Sequence, residues 1–148
     1  MKLINIRFNK KNISNKINKK SINWAINYLK RKINKSFYLK QAKTNLTETE
    51  CIIIDNGSAI LDKYKNIIAF NNQKESFSIS PLSKNHHKII IYGANLRGLI
   101  YAITEIADRV ENLITSKNAL QQIFSKTTES PKTKIRSISK CFESDIED

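Results

Sequence analysis

A chain of 148 residues holds one domain of ordinary size and excludes a complete eight-stranded α/β barrel, which needs roughly 250 residues. Apolar residues make up 40%, with only 3 Gly and 2 Pro, which excludes a low-complexity chain, and no stretch approaches the length of a membrane span. The formal charge of +13 points first to nucleic acid, but 13 of the 26 basic residues and none of the 13 acidic ones lie between Met1 and Lys43, so the rest of the chain is neutral.

In chain order, Leu3, Ile4, Ile6 and Phe8 form a short apolar stretch that reads as an edge strand. Ile22, Ile26, Leu29, Ile33 and Phe37 recur at helical spacing and predict a first amphipathic helix. Ser21 stands at its expected N-cap, and Lys30, Arg31, Lys32 and Lys35 lie toward its C-terminal end, where the helix dipole favours cations. Cys51-Ile-Ile-Ile54 is a continuous apolar run closed by Asp55-Asn-Gly57, which reads as a buried strand entering a turn.

Phe77 and Ile79 alternate with Ser76, Ser78 and Ser80 up to Pro81, a second strand. His87-Lys-Ile-Ile-Ile-Tyr92 is a third, ended by Gly93. Leu96, Leu99, Ile100, Ile103, Ala107, Val110 and Ile114 then line one face of a long helix capped by Asn95, which Gln121 to Phe124 extend or follow. Ser125 to Lys134 reads as a polar, Pro-containing linker, and Ile135 to Phe142 alternates like a new strand. The order β-α-β-β-β-α predicts an α/β (α+β) fold, a mixed sheet with two long helices packed on it.

The segment from Glu75 to Glu111 contains a strand, a short turn and Lys88-Ile-Ile-Ile-Tyr-Gly-Ala-Asn-Leu-Arg-Gly-Leu-Ile-Tyr-Ala. It resembles the N-terminal accessory domain shared by family 20 β-hexosaminidases and family 67 α-glucuronidases. Gly93, Arg97, Gly98 and Tyr101 match the motif of that domain, and Ala102 replaces its second helix glycine. Physically, Gly93 would let the strand turn sharply into the helix. Gly98 costs up to about 1 kcal/mol relative to Ala inside a helix and is explained by close approach of helix to sheet. Packing is the role expected of all four matching residues.

The resemblance implies a zincin-like α/β domain without a metal centre, at residues 1–124, then a linker at 125–134 and, at 135–148, the opening of a catalytic barrel. Pro131 to Phe142 is similar to that junction, and Arg136 is by resemblance a candidate sugar ligand, although Ser137 stands where a Gly is usual. The implied partners are a C-terminal catalytic barrel in cis and carbohydrate, with no cofactor and no metal. The parent enzyme would hydrolyse glycosidic bonds with paired carboxylates beyond Asp148, so these 148 residues alone would be an inactive piece.

Other groupings read more simply. His86 and His87 are adjacent, sit where a turn meets a strand and cannot easily share a metal. Glu105, Asp108 and Glu111 suit a solvated helix face pairing with Arg109. Trp24, Tyr28, Arg31 and Lys35 form a second stripe on the first helix, read as a docking face for a neighbouring domain in preference to a surface that stacks on bases or sugars. Cys51 and Cys141 read as reduced thiols.

The alternative function is a small basic nucleic-acid-binding domain using residues 10–43, separable by the steep salt dependence of phosphate binding. Against it, Lys outnumbers Arg by 21 to 5. With 25 Ile and 17 Asn, residues whose codons are built almost only from A and T, much of that Lys reflects an AT-rich genome. The N-terminus shows no run of signal-peptide length, and a cytoplasmic protein without a membrane segment is the default expectation.

Overall fold

Apolar runs unbroken by polar residues require strands buried on both faces, and the computed structural model builds a sheet around two of them. It describes residues 3–38, 46–69, 71–113 and 118–132. The elements are β1 (Leu3–Asn9), α1 (Lys19–Tyr38), β2 (Leu46–Asp55), α2 (Leu61–Tyr64), β3 (Phe77–Pro81), β4 (Lys88–Gly93), α3 (Leu96–Leu113), α4 (Ala119–Ile123) and β5 (Thr127–Glu129). The five strands form one mixed sheet in the order β1-β2-β4-β3-β5. β1, β2 and β4 run parallel, and β3 is antiparallel to both β4 and β5.

The period-two alternation of the strands divides the core into two layers. Cys51 and Ile53 of β2, Ile89 and Ile91 of β4 and Phe77 and Ile79 of β3 face α1 and α3, which pack side by side on that surface. From α1 come Ile22, Ile26, Leu29 and Ile33, and from α3 Leu99, Ile103, Ile106 and Val110, all buried. Each such side chain contributes roughly 1.5–3 kcal/mol of burial, an upper estimate because the unfolded chain is itself partly collapsed. On the opposite face Ile52, Ile54, Ile90 and Tyr92 are covered by Leu61 and Ile68, from α2 and the segment after it.

Several local features differ from the sequence reading. α1 begins before Ser21: the Asn18 side-chain oxygen accepts the Lys20 amide at 2.9 Å, so Asn18 is the cap and Ser21 lies inside the helix. Asn95 caps α3 as expected, its Oδ1 accepting the Gly98 amide at 3.0 Å. β2 extends back to Leu46, well before its apolar run, because its first half pairs in register with β1. Thr127–Glu129, inside the segment read as a linker, adds an antiparallel strand to the outer side of β3, with Ser78 opposite Thr128. Ser78 and Ser80 are buried, their hydroxyls 3.4 Å apart, while β5 itself stays largely exposed. Ile114, Arg136 and Cys141 lie outside the described residues, as do the side chains of Leu3, Ile4, Lys35 and Phe37. Among the described residues no helix is long and apolar enough to cross a membrane.

Candidate functional site

The junction of β4 and α3 is built at backbone contact. A Cβ placed on Gly98 would lie 2.3 Å from the carbonyl oxygen of Ser76, and one on Gly93 would lie 2.4 Å from the amide nitrogen of Leu99. The Ser76 carbonyl also accepts the Ala94 amide at 3.0 Å, so the entry to β3, the end of β4 and the first turn of α3 converge on one peptide group. Ala102, one turn on, is fully buried. At Gly98 the helix meets the strand entry at backbone distance. Gly93 differs: no described glycine has a positive φ, so what Gly93 supplies is room for Leu99.

Arg97 and Tyr101 lie at the surface, outside the buried core. They stand off the apolar stripe of α3, and the Arg97 side chain is 71% exposed, its guanidinium donating to Glu75 Oε1 at 2.8 Å. That hydrogen bond raises the Arg97 pKa above its ordinary value. Glu75 itself adopts a left-handed backbone, with φ of 67°, at the turn into β3. Tyr101 is 39% exposed and lies on the rim of a cavity of about 540 Å³ between α3 and the β3–β5 edge.

Glu75, Glu105, Asp108 and Glu129 also line this cavity. Arg109 Nε donates to Glu105 Oε1 at 2.7 Å, and the same guanidinium reaches Ser125 Oγ at 3.1 Å and Thr127 Oγ1 at 2.8 Å. Arg109 thus ties α3 to the segment entering β5. Glu111 does not join it. The helical turn carries Glu111 toward α1, where Lys32 Nζ lies 2.5 Å from its carboxylate and is held above the ordinary lysine range by that contact. Among the described residues no group of three or more His, Cys, Asp or Glu is placed to hold a metal ion. His86, with φ of 56°, bonds to the Lys84 carbonyl within its own turn, and His87 to the Glu48 carbonyl on β2.

On the outer face of α1, Trp24 is 54% exposed and stacks on Tyr28, with ring centroids 5.9 Å apart and planes 13° from parallel. Lys32 Nζ lies 5.4 Å from the Tyr28 centroid, so Trp24, Tyr28, Lys32 and Glu111 form a continuous ladder from solvent to α3. Arg31 is exposed beside it. Cys51 is buried, and burial pushes its thiol well above the usual range, leaving it inert at neutral pH.

A second cavity, of about 490 Å³, was not read from the sequence. It opens where β1 ends, the following loop turns and α1 begins, with Arg7, Lys10, Lys11 and Lys19 around it. The available signal was the density of lysines from Lys10 to Lys20. Which of them converge depends on the course of the loop. Ile13 is buried in the core, and the Ser14 amide donates to Asp55 Oδ2 at 2.7 Å. The Gly57 amide occupies the other carboxylate oxygen at 2.9 Å.

No family model and no curated protein matches the chain. Among solved structures, a GH138 enzyme targeting pectin rhamnogalacturonan II is similar at 17% identity with a TM-score of 0.49. The similarity covers 86% of this chain and 12% of that one.

Proposed function

We propose that this chain is a non-catalytic α/β accessory module of a glycoside hydrolase, serving as a packing platform for a catalytic barrel. The observation that carries the reading is the β4–α3 junction. The two glycines that match the accessory-domain motif are the residues at which α3 meets the strands at backbone distance, and no larger side chain fits at either.

The carboxylates support a non-catalytic role. Glycoside hydrolysis needs two carboxylates aimed at the sugar from opposite sides, roughly 5–9 Å apart. Glu75, Glu105 and Glu111 each face a cation, Arg97, Arg109 and Lys32 respectively. The exposed Trp24 and Arg31 are the residue types that anchor protein interfaces, and α1 carries them on the face turned away from the sheet. That face is the docking surface in this reading.

The purified chain should release no fluorophore from a panel of 4-methylumbelliferyl glycosides and glucuronides, and turnover by the chain alone would refute a non-catalytic role. Reading the gene beyond the codon for Asp148 supplies the second arm. A continuing frame with alternating strand and helix patterns is expected, and that barrel, expressed separately, should bind this chain in a manner that Trp24→Ala and Arg31→Ala weaken. A downstream frame without such a pattern overturns the proposal.

A further inference from the structure

The cavity at the end of β1 gathers like charges and holds them there. Arg7, Lys10, Lys11 and Lys19 surround it, and among the described residues none of the four has a carboxylate within ion-pair distance. Glu50 also lines the cavity, and its carboxylate is engaged from the neighbouring strand by Lys88 at 3.2 Å. A lysine-rich loop free in solvent would spread its charges. This one is anchored by Ile13 in the core and by the Ser14 amide on Asp55, a carboxylate only 1% exposed, so the backbone keeps the cations around the concavity.

Two further details fit a bound anion. Lys10 Nζ donates to Asn23 Oδ1 at 2.7 Å, which fixes one ammonium at the wall. The first turn of α1 contains Lys19 and Lys20 and no acidic residue, although the positive end of a helix dipole favours negative charge there. Codon bias explains how many lysines the chain has, not why four basic groups share one cavity. Self-repulsion of that kind is what a functional site tolerates and a purely structural one discards.

We infer that this cavity binds a small phosphate-bearing anion. Ammonium groups are compact point charges suited to phosphate, whose several oxygens and multiple charge can satisfy more than one of them at once. A volume of about 490 Å³ exceeds the needs of one phosphate group and falls in the range of small-molecule sites. The cations converge on a hollow instead of extending along a face, which favours a small ligand over a nucleic-acid backbone. The inference is independent of the accessory-module reading.

Pyrophosphate is the probe, titrated calorimetrically into the full chain at an ionic strength held constant with sodium chloride. Saturable binding at one site is expected. Lys10→Gln with Lys11→Gln should weaken it about tenfold or more, whereas Lys84→Gln with Lys126→Gln, which removes the same charge elsewhere, should change it by less than about twofold. Lys19→Gln supplies a second arm with two opposite effects. It relieves an unfavourable charge at the helix start, so it should raise Tm without the probe and shrink the rise in Tm that pyrophosphate produces. Binding that vanishes against matched chloride, or that both double variants weaken equally, overturns the inference. So does tighter binding of DNA in which the four substituted lysines contribute alike.

Discussion

Gly98→Ala separates two effects that oppose each other at a helical glycine. In an exposed helix the substitution stabilises by up to about 1 kcal/mol, because glycine loses more backbone freedom on folding. Here the new Cβ would meet the Ser76 carbonyl oxygen at 2.3 Å, the Ser76 carbonyl carbon at 3.2 Å and the Glu75 carbonyl carbon at 3.4 Å, all backbone atoms that no rotamer change can move. α3 must recede by about 0.7 Å before the first contact reaches even 3.0 Å. A gap of that order forfeits a quarter to a half of each dispersion contact along the face carrying Leu99 and Ile103. It also stretches the Ala94 to Ser76 hydrogen bond, now 3.0 Å.

Overpacking typically costs about 1–3 kcal/mol, and a 2.3 Å meeting with fixed backbone falls in the upper part of that range, about 2–3 kcal/mol. Set against the gain in helix propensity, the expected net loss is about 1–2 kcal/mol, a fall in Tm of roughly 2–8 °C. Urea unfolding should show a lower midpoint with an unchanged slope. Gly57→Ala is the milder contrast, since its Cβ would meet nothing closer than Ser14 Cβ at 3.1 Å and Ser14 Oγ, which can rotate, at 3.2 Å. A Gly98→Ala variant as stable as the parent, or more so, would refute the claim that α3 and Ser76 are in backbone contact.

The other predictions concern buried polar groups. Asp55→Ala leaves the Ser14 and Gly57 amides without their acceptor and should cost about 2–4 kcal/mol, with hydrogen exchange at both amides accelerated relative to β4. Burial, with the Asp55 charge adding to it, pushes the Tyr92 pKa up to about 12. The folded state therefore keeps a proton that the unfolded state gives up, and stability should decline as pH rises from about 10 toward 12. Tyr92→Phe, which gives up the 3.4 Å hydrogen bond to the Asn71 carbonyl, should flatten that decline when stability is followed by alkaline titration of the circular dichroism. In a Cys141→Ser background Cys51 should resist a thiol reagent at pH 8 until denaturant is added, and immediate labelling of the folded chain would contradict its burial.

The elements that could be read from the amino-acid order are those whose own side chains define them. β4 is an unbroken apolar run because it is the inner strand covered on both faces, and α3 carries enough apolar residues at one spacing to leave no other period. β5 could not be read this way. Thr127–Glu129 is short and polar, and becomes a strand only because β3 offers it a free antiparallel edge and Arg109 holds its first residue. The cap of α1 was misplaced for a related reason. Asn18 and Ser21 are equally good caps in isolation, and the end of the loop that Ile13 and Ser14 anchor puts the helix start at the first of them.

The same limit governs the candidate sites. Gly98 was legible because a glycine inside a strongly helical pattern has few explanations, and close approach is the commonest. Arg97 and Tyr101 were misjudged because a shared motif carries no indication of which members pack. Only the helical phase relative to β3 turns them outward. The cavity beside β1 lay furthest from view. Its cations are separated in sequence by a polar loop, and their convergence rests on Asp55, more than thirty residues beyond the last of them, whose buried carboxylate bonds the Ser14 amide across a sequence separation of 41. An anionic residue far along the chain thus holds the loop that collects the cations. If the anion site exists, Asp55→Ala must weaken pyrophosphate binding without removing a single charge from the cavity. Loss of stability in that variant with undiminished affinity would mean that the lysines gather there unaided.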